Sequence, residues 1–270
     1  MAFRFSGTSV GMNSETISKS ALCLGHPGHE IKVLAWAAEH KPRVTIFTDG
    51  SGPNRPSRLE STRKILEAVG CEPALMFGNL ADREIYGMMR EGAEPFVQIA
   101  QQLEGEWTAG EVDTVAGDAL EGFNTTHDVC RMVINAVVEK LRRKHLRVKN
   151  YAFPLEGLGM EVESEGELVV EMDQSLFEWK RDIVKSAYPE MAGEVDKAIA
   201  KYGEGPFQRE VLHPAVEGRL GMVWEGNAPP FYETYGRRQI EKGHYHDLIT
   251  YSEHLLPIAE GLWNWAEEGS

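Results

Sequence analysis

The feature that most restricts the fold of this chain is an alternation. Over the first 155 residues, short β-branched and apolar runs alternate with segments of helical periodicity. A parallel strand needs a crossover, usually a helix, before its successor can pair with it, so this alternation is how βαβ units appear in sequence. Strands are expected at KSALCLG (19–25), RVTIFT (43–48), PALMF (73–77), VDTVAG (112–117) and RVKNYAF (147–153). Between them Ile31, Leu34, Ala35 and Ala38 keep helical spacing, as do Leu59, Thr62, Leu66 and Val69, with Ser57 and Glu60 as a capping box and Gly70 as a stop. Further helices are expected over 93–105, around Phe96, Ile99, Ala100 and Leu103, and over 127–144, where Val129, Met132, Val133, Ala136, Val137 and Leu141 form one stripe.

After residue 155 the pattern changes. EGLGMEVESEGELVVEMD (156–173) reads as an extended pair, followed by amphipathic helices over 174–187 and 189–201. The stretch WEGNAPPFYETYGRR (224–238) reads as a Gly/Pro-punctuated loop, and a last helix is expected over 246–265 with His244 and His246 at its start. The expected fold is α/β: a Rossmann-like three-layer sandwich with a mostly parallel sheet, core about 19–155, and a C-terminal elaboration, about 156–270, placed to cover a site.

Charge and cysteine usage narrow the function. Lys and Arg number 28 against 42 Asp and Glu, a formal charge of −14, which excludes a protein that tracks nucleic-acid phosphates and favours a small-molecule substrate. Cys23, Cys71 and Cys130 fall in apolar segments with no CxxC pair, as reduced core thiols do. The opening residues lack the apolar run of a secretory signal, and no stretch nears the roughly 18 apolar residues of a membrane span. The expected location is therefore the cytoplasm; a homo-oligomer is compatible with this reading.

In an open parallel sheet, ligands bind beyond the carboxyl ends of the strands. The polar residues there are His26, His29 and Glu30 after the first expected strand and Asp49 after the second. The third is followed by Asn79 and Asp82, the fourth by Asp118, Asn124, His127 and Asp128. Two histidines after one strand and a third opening the helix after another can converge on one ion, and a mononuclear zinc site needs three such ligands with one position open. A lone histidine at a strand end is more often a satisfied polar residue, so the HxxH spacing by itself is a weak signal. The chain carries neither a GxGxxG dinucleotide fingerprint nor a GxSxG nucleophile elbow at these turns.

At these residues the sequence resembles a family, the LmbE-like or PIG-L-type zinc-dependent N-deacetylases of sugar derivatives. Their first strand ends in HPDDE and their second in TDG, where this chain has GHPGHE and VTIFTDGSG. An arginine-bearing helix ending in LG is similar to RPSRLESTRKILEAVG, a PDG-like turn to NLADRE, and a GxxHxDH segment to EGFNTTHD. The resemblance covers residues 19–135 well and the remainder loosely. It implies zinc, or another divalent transition metal, on His26, His29 and His127, with an N-acylated sugar as substrate.

The departures are as informative. His29 stands where the family has a ligand aspartate, Gly28 where it has its general base, and Asn124 where it has an oxyanion-side histidine. Three neutral ligands would leave the ion more electropositive and better able to ionise water. A proton carrier is then needed, for which Glu30, Asp49, Asp118, Asp128 and Glu233 are the candidates, with Asn124 as an N–H donor to a developing oxyanion. Arg58, Asp82 and Glu233 are the candidates for holding substrate, and Trp224, Tyr232 and Tyr235 for stacking on a sugar. Two alternatives remain open at this point: a hydrolytically impaired member that binds a sugar or nucleotide-sugar, and a three-histidine site used for other metal chemistry.

Overall fold

The computed structural model describes residues 19–52, 56–156 and 165–268. Its strands are Ser20–Leu24 (β1), Arg43–Thr48 (β2), Glu72–Leu80 (β3), Thr114–Asp118 (β4), Lys149–Phe153 (β5), Leu168–Glu171 (β6) and Arg209–Pro214 (β7). They form one sheet in the order β3-β2-β1-β4-β5-β7-β6. The first five pair in parallel, while β7 runs antiparallel to both β5 and β6. This is an α/β fold with a mostly parallel sheet.

The helices are Leu34–His40 (α1), Leu59–Val69 (α2), Asp82–Glu91 (α3), Glu94–Ala109 (α4), Thr125–Arg143 (α5), Gln174–Ala187 (α6), Ala192–Tyr202 (α7), Phe231–Glu241 (α8) and Leu256–Glu267 (α9). One apolar cluster joins α4, α5 and α9 to one face of the sheet through Phe96, Leu103, Val133, Val137, Ile258 and Leu262. The other face is covered by α1, α2 and α6, through Leu34, Trp36, Ile65, Leu66 and Val184. With helices on both faces, β1 is buried from end to end (Ser20–Leu24), as a central parallel strand must be. For the same reason α5 outdoes its expected stripe: it is buried without interruption from Thr125 to Val138, wedged between the sheet, α4 and α9.

Four expectations need correction. The NLADRE segment (79–84), read as a turn, runs into a helix that was not expected, α3, whose opening Asp82 and Glu84 suit a helix N-terminus, and Ala81 N–H bonds Glu84 Oε2 at 2.6 Å. The 231–238 part of the Gly/Pro loop is α8: Pro230, extended at φ −53° and ψ 150°, is its N-cap, and no proline follows inside the helix to interrupt it. The final helix begins with a π turn at Tyr251–Leu255, so His244 and His246 lie exposed before it and not in it. The Ser57–Glu60 box does not form: Ser57 Oγ accepts from Leu59 N–H at 3.3 Å and donates to the Asp49 carbonyl, while Arg58 occupies the cap. Strand β7 was not foreseen, and the first arm of the extended pair over 156–173 falls largely outside the described residues.

What fixes β7 and α6 to the parallel core is a buried carboxylate. Glu210 on β7 accepts from Ala35 N–H (2.8 Å) and Trp36 N–H (2.9 Å) at the start of α1, and from Lys180 Nζ of α6 at 2.6 Å. Glu210→Ala leaves two amides and a buried ammonium unsatisfied, so it is expected to lower the unfolding free energy by about 3–5 kcal/mol. Urea unfolding measures this, and a loss below about 1 kcal/mol would remove Glu210 from that role.

Candidate metal centre

Strand order locates the site. β1 has β2 on one side and β4 on the other, so the chain leaves β1 and β4 toward opposite faces and a crevice opens between their carboxyl ends. The segments that follow, 25–30 after β1 and 119–124 after β4, meet there. Across the crevice His26, His29 and His127 turn their rings on one another, with centroids 5.4 Å (His26–His29), 5.2 Å (His26–His127) and 4.6 Å (His29–His127) apart and interplanar angles of 72–88°.

Hydrogen bonds fix two of the three tautomers. The Thr48 hydroxyl donates to the Gly25 carbonyl (3.1 Å), so its oxygen accepts from His26 Nδ1–H at 2.7 Å. His29 Nδ1–H donates to Asp118 Oδ2 at 2.9 Å. Both imidazoles therefore keep an Nε2 lone pair available, oriented by the partner on the other nitrogen. His127 Nδ1 is buried with no hydrogen-bond partner. Burial first, then the facing His29, holds the His127 pKa down at about 2, so this ring stays neutral, the state that ligates a metal.

Asp118, the last residue of β4, is fully buried and also accepts the Gly25 N–H at 2.7 Å. Burial raises its pKa, but His29, His127 and that N–H together outweigh it and hold the carboxyl below the usual range. Behind it Arg131 of α5, also fully buried, donates Nε–H to the Asp118 carbonyl at 2.5 Å and reaches Asn150 Oδ1 and the Tyr151 carbonyl at 3.0 Å. The three imidazoles are thus not among neutral groups alone: a carboxylate stands directly behind His29.

These residues fit a metal ion. Three imidazoles sharing one tetrahedral ion at about 2.0–2.1 Å would hold their ring centroids roughly 5 Å apart, as found. Buried polar atoms without hydrogen-bond partners also gather here: Asp118 Oδ1, Thr125 Oγ1, Thr126 Oγ1 and His127 Nδ1. Among the described residues no three His, Cys, Asp or Glu donors are drawn together as tightly as in a formed metal cage.

The other expected residues divide. Asp82, at the start of α3, places Oδ1 3.3 Å from His26 Nδ1; burial raises its pKa, but His26, Thr48 and Arg58 prevail and keep it lowered. Arg58 reaches the rim, its Nη1 3.4 Å from where a Cβ on Gly28 would lie and its Nε 3.0 Å from one on Gly50. Glu30 has both oxygens engaged, by Tyr188 OH (2.6 Å) and Gly28 N–H (2.7 Å). Asp49 Oδ1 accepts from Ser51 N–H at 2.8 Å. Asn124 caps α5 with Oδ1 on Thr126 N–H at 2.8 Å. Asp128 Oδ1 takes the N–H groups of Glu121 and Gly122, both at 3.1 Å, while burial pushes its pKa up to about 7. Glu233 is buried, bonded to Tyr251 N–H at 2.8 Å and facing Arg237. Tyr232 is buried and Trp224 packs on Gly122, so of the three expected stacking aromatics only Tyr235 presents an exposed ring. Thr48 escaped the sequence reading, although it lies one residue before Asp49, at the carboxyl end of a strand neighbouring β1.

Gly28 has φ +102° and ψ −16°, a conformation L side chains rarely adopt. A base at that position is therefore not a matter of adding a side chain to this loop.

A cleft of about 720 Å³ opens at the amino ends of the strands, lined by Asp113, Thr114, Arg142, Arg147 and Lys149, at the opposite end of the sheet from the histidines.

The sequence matches no protein-family model and no curated protein. Among solved structures, the fold is similar to that of a deacetylase triple mutant involved in the teicoplanin biosynthetic pathway, at TM-score 0.50 and 11% identity over 72% of this chain and 96% of the other. The A40926 pseudoaglycone deacetylase Dbv21 gives 0.44 and 12% over 73% and 96%, and a conserved protein of Thermus thermophilus gives 0.44 and 15% over 78% and 98%. At such identity the first of these likenesses is one of fold.

Two outcomes are expected. Asp118→Asn should weaken divalent-metal affinity by about 10–100-fold, read by competition with a chromogenic chelator; unchanged affinity would separate Asp118 from the histidine cluster. Gly28→Asp should lower the unfolding free energy by about 1–3 kcal/mol, read by thermal unfolding, whereas a neutral result would show that the loop accepts a side chain there.

Proposed function

We propose that this chain is a metal-dependent amide hydrolase, acting as an N-deacetylase on an N-acylated sugar. The observation that carries the reading is the convergence of His26, His29 and His127 with the Nε2 lone pairs of His26 and His29 freed by Thr48 and Asp118. A fold shared with a deacetylase agrees with it, as do the GHPGHE and TDG landmarks.

A zinc ion held there would polarise an acyl oxygen and activate water. The protein's own groups supply the rest. Arg58, beside Gly28 and Gly50, offers planar donors to substrate oxygens at the rim. Asp82 takes the part of the missing base: of the carboxylates considered, it is the one both beside a cluster histidine and partly exposed, with its side chain 28% accessible and its pKa lowered. Its Oδ1 faces His26 Nδ1, on the side of the ring away from an ion held at Nε2, so Oδ2 is the oxygen left to accept a proton and return it to the departing nitrogen. Asp118 keeps His29 in place and adds negative charge behind it, offsetting the loss of the ligand aspartate that the resemblance led one to expect. Asn124, occupied as a helix cap, contributes by setting the start of α5 and with it His127.

Protein purified without chelator and analysed for metal should hold about one equivalent and release free amine from N-acetylated amino sugars. Chelation and His26→Ala should both abolish release, while Asp82→Asn should lower kcat by about 10²–10⁴-fold with metal content retained. Metal-replete protein that releases no amine across a broad panel of N-acyl sugars would overturn the hydrolase assignment. The glycine backbone at position 28 favours the competing reading, a sugar binder without turnover, which saturable binding without amine release would support.

A further inference from the structure

The C-terminal elaboration carries a feature that amide hydrolysis does not use. Phe123, Phe231, Tyr235 and Tyr245 form a row of aromatic rings, with successive centroids 4.9, 6.0 and 6.4 Å apart. All four are open to solvent, at 36%, 46%, 44% and 47% exposure, although large rings are ordinarily the first side chains a fold buries. A contiguous exposed apolar strip of this kind marks an interaction site.

One end of the row adjoins the start of the helix that carries His127. Phe123 immediately precedes Asn124, the cap of α5, whose first turn carries His127. At the other end, Asp247, two residues after Tyr245, pairs with Arg90 of α3 at 3.4 Å, which puts the outer rings beside the helix that Asp82 opens. The strip is also built to stay in place. Trp224 packs so closely on Gly122 that a Cβ there would lie 2.7 Å from its ring, and α8 is held by buried Tyr232, by Glu233 on Tyr251 N–H and by Gly236 against Leu248.

Resting on the deacetylase reading, we infer that the ring row binds the continuing sugar units of an oligosaccharide whose terminal N-acylated residue enters the three-histidine site. The chemistry of the strip selects this occupant. A long acyl chain calls for enclosing apolar walls, whereas these rings lie open, with Tyr hydroxyls at the outer end and the exposed Arg90–Asp247 pair beside it. Open rings suit a ligand with apolar C–H faces and a solvated hydroxyl edge: Phe123 and Phe231 lie parallel to within 2°, Tyr235 is tilted by 31° and Tyr245 stands at 69° to it, so the row offers several separate exposed contacts and no enclosing slot. The net charge of −14 disfavours an anionic glycan, so a neutral or amine-bearing oligomer is the class assigned.

Calorimetric titration of the metal-replete protein with N-acetylglucosamine oligomers, from the monosaccharide to the pentasaccharide, tests this. Affinity should rise about tenfold or more along the series. Phe231→Ala and Tyr235→Ala should flatten that rise, and Phe231→Tyr should preserve it. Length-independent binding, or a series unchanged in both alanine variants, overturns the assignment. So does preference for an N-fatty-acyl glucosamine over the oligomers, or a wild-type dimer that Phe231→Ala converts to monomer without altering sugar binding. The titration reads binding and not turnover: tight, length-dependent binding without amine release would sink the hydrolase reading and leave the ring row assigned, while amine release from the monosaccharide with a flat series would do the reverse.

Discussion

Everything at the carboxyl end of the sheet depends on one buried charge. Asp118 ends β4 with no solvent access, and its Oδ2 holds both the Gly25 N–H, which sets the path of the chain leaving β1, and His29 Nδ1. Such a carboxylate is expensive to bury and is tolerated because its surroundings are complete: Arg131 is buried behind it and two imidazoles face it. The same arrangement orients the histidines, so the energy that keeps Asp118 ionised is also what preorganises the site.

A second polar chain works from the opposite face. Thr62 of α2 bonds the Tyr188 hydroxyl at 2.6 Å, Tyr188 donates to Glu30, and Glu30 accepts the Gly28 N–H. The 25–30 segment is therefore clamped between β4 on one side and α2 with the end of α6 on the other. Its left-handed glycine is held from both directions, which explains how a turn with so little regular structure of its own can fix two imidazoles.

Much of this could be read from the residues. The five parallel strands were legible because β-branched runs buried on both faces have few alternative readings, and the rule that ligands bind past the carboxyl ends brought His26, His29 and His127 together from sequence alone. Illegible were contacts that depend on strand order across long separations. Nothing local to Asp118 says that it faces His29, 89 residues earlier, and nothing local to Glu210 says that it caps α1. α8 was hidden by its Gly/Pro surroundings, since Pro230 marks the beginning of a helix as readily as the middle of a loop. Glu30, Asp128 and Glu233 were named as candidates for chemistry because they are acids that the sequence brings near the rim; their hydrogen bonds brace loops and helices, contacts that no local pattern announces.

The burial of α5 carries a consequence for how such a chain diversifies. The helix that bears His127 is enclosed along its first fourteen residues by sheet and neighbouring helices, so substitutions that would reposition its ring strain the core at once. The ring row on α8 and the turns beside it lies on a surface where side chains can be exchanged at little cost in stability. Descendants of this fold are therefore free to vary the exposed rings of α8 while the histidine cluster stays in place, and divergence should accumulate around α8 long before it touches α5 or the strands beneath it.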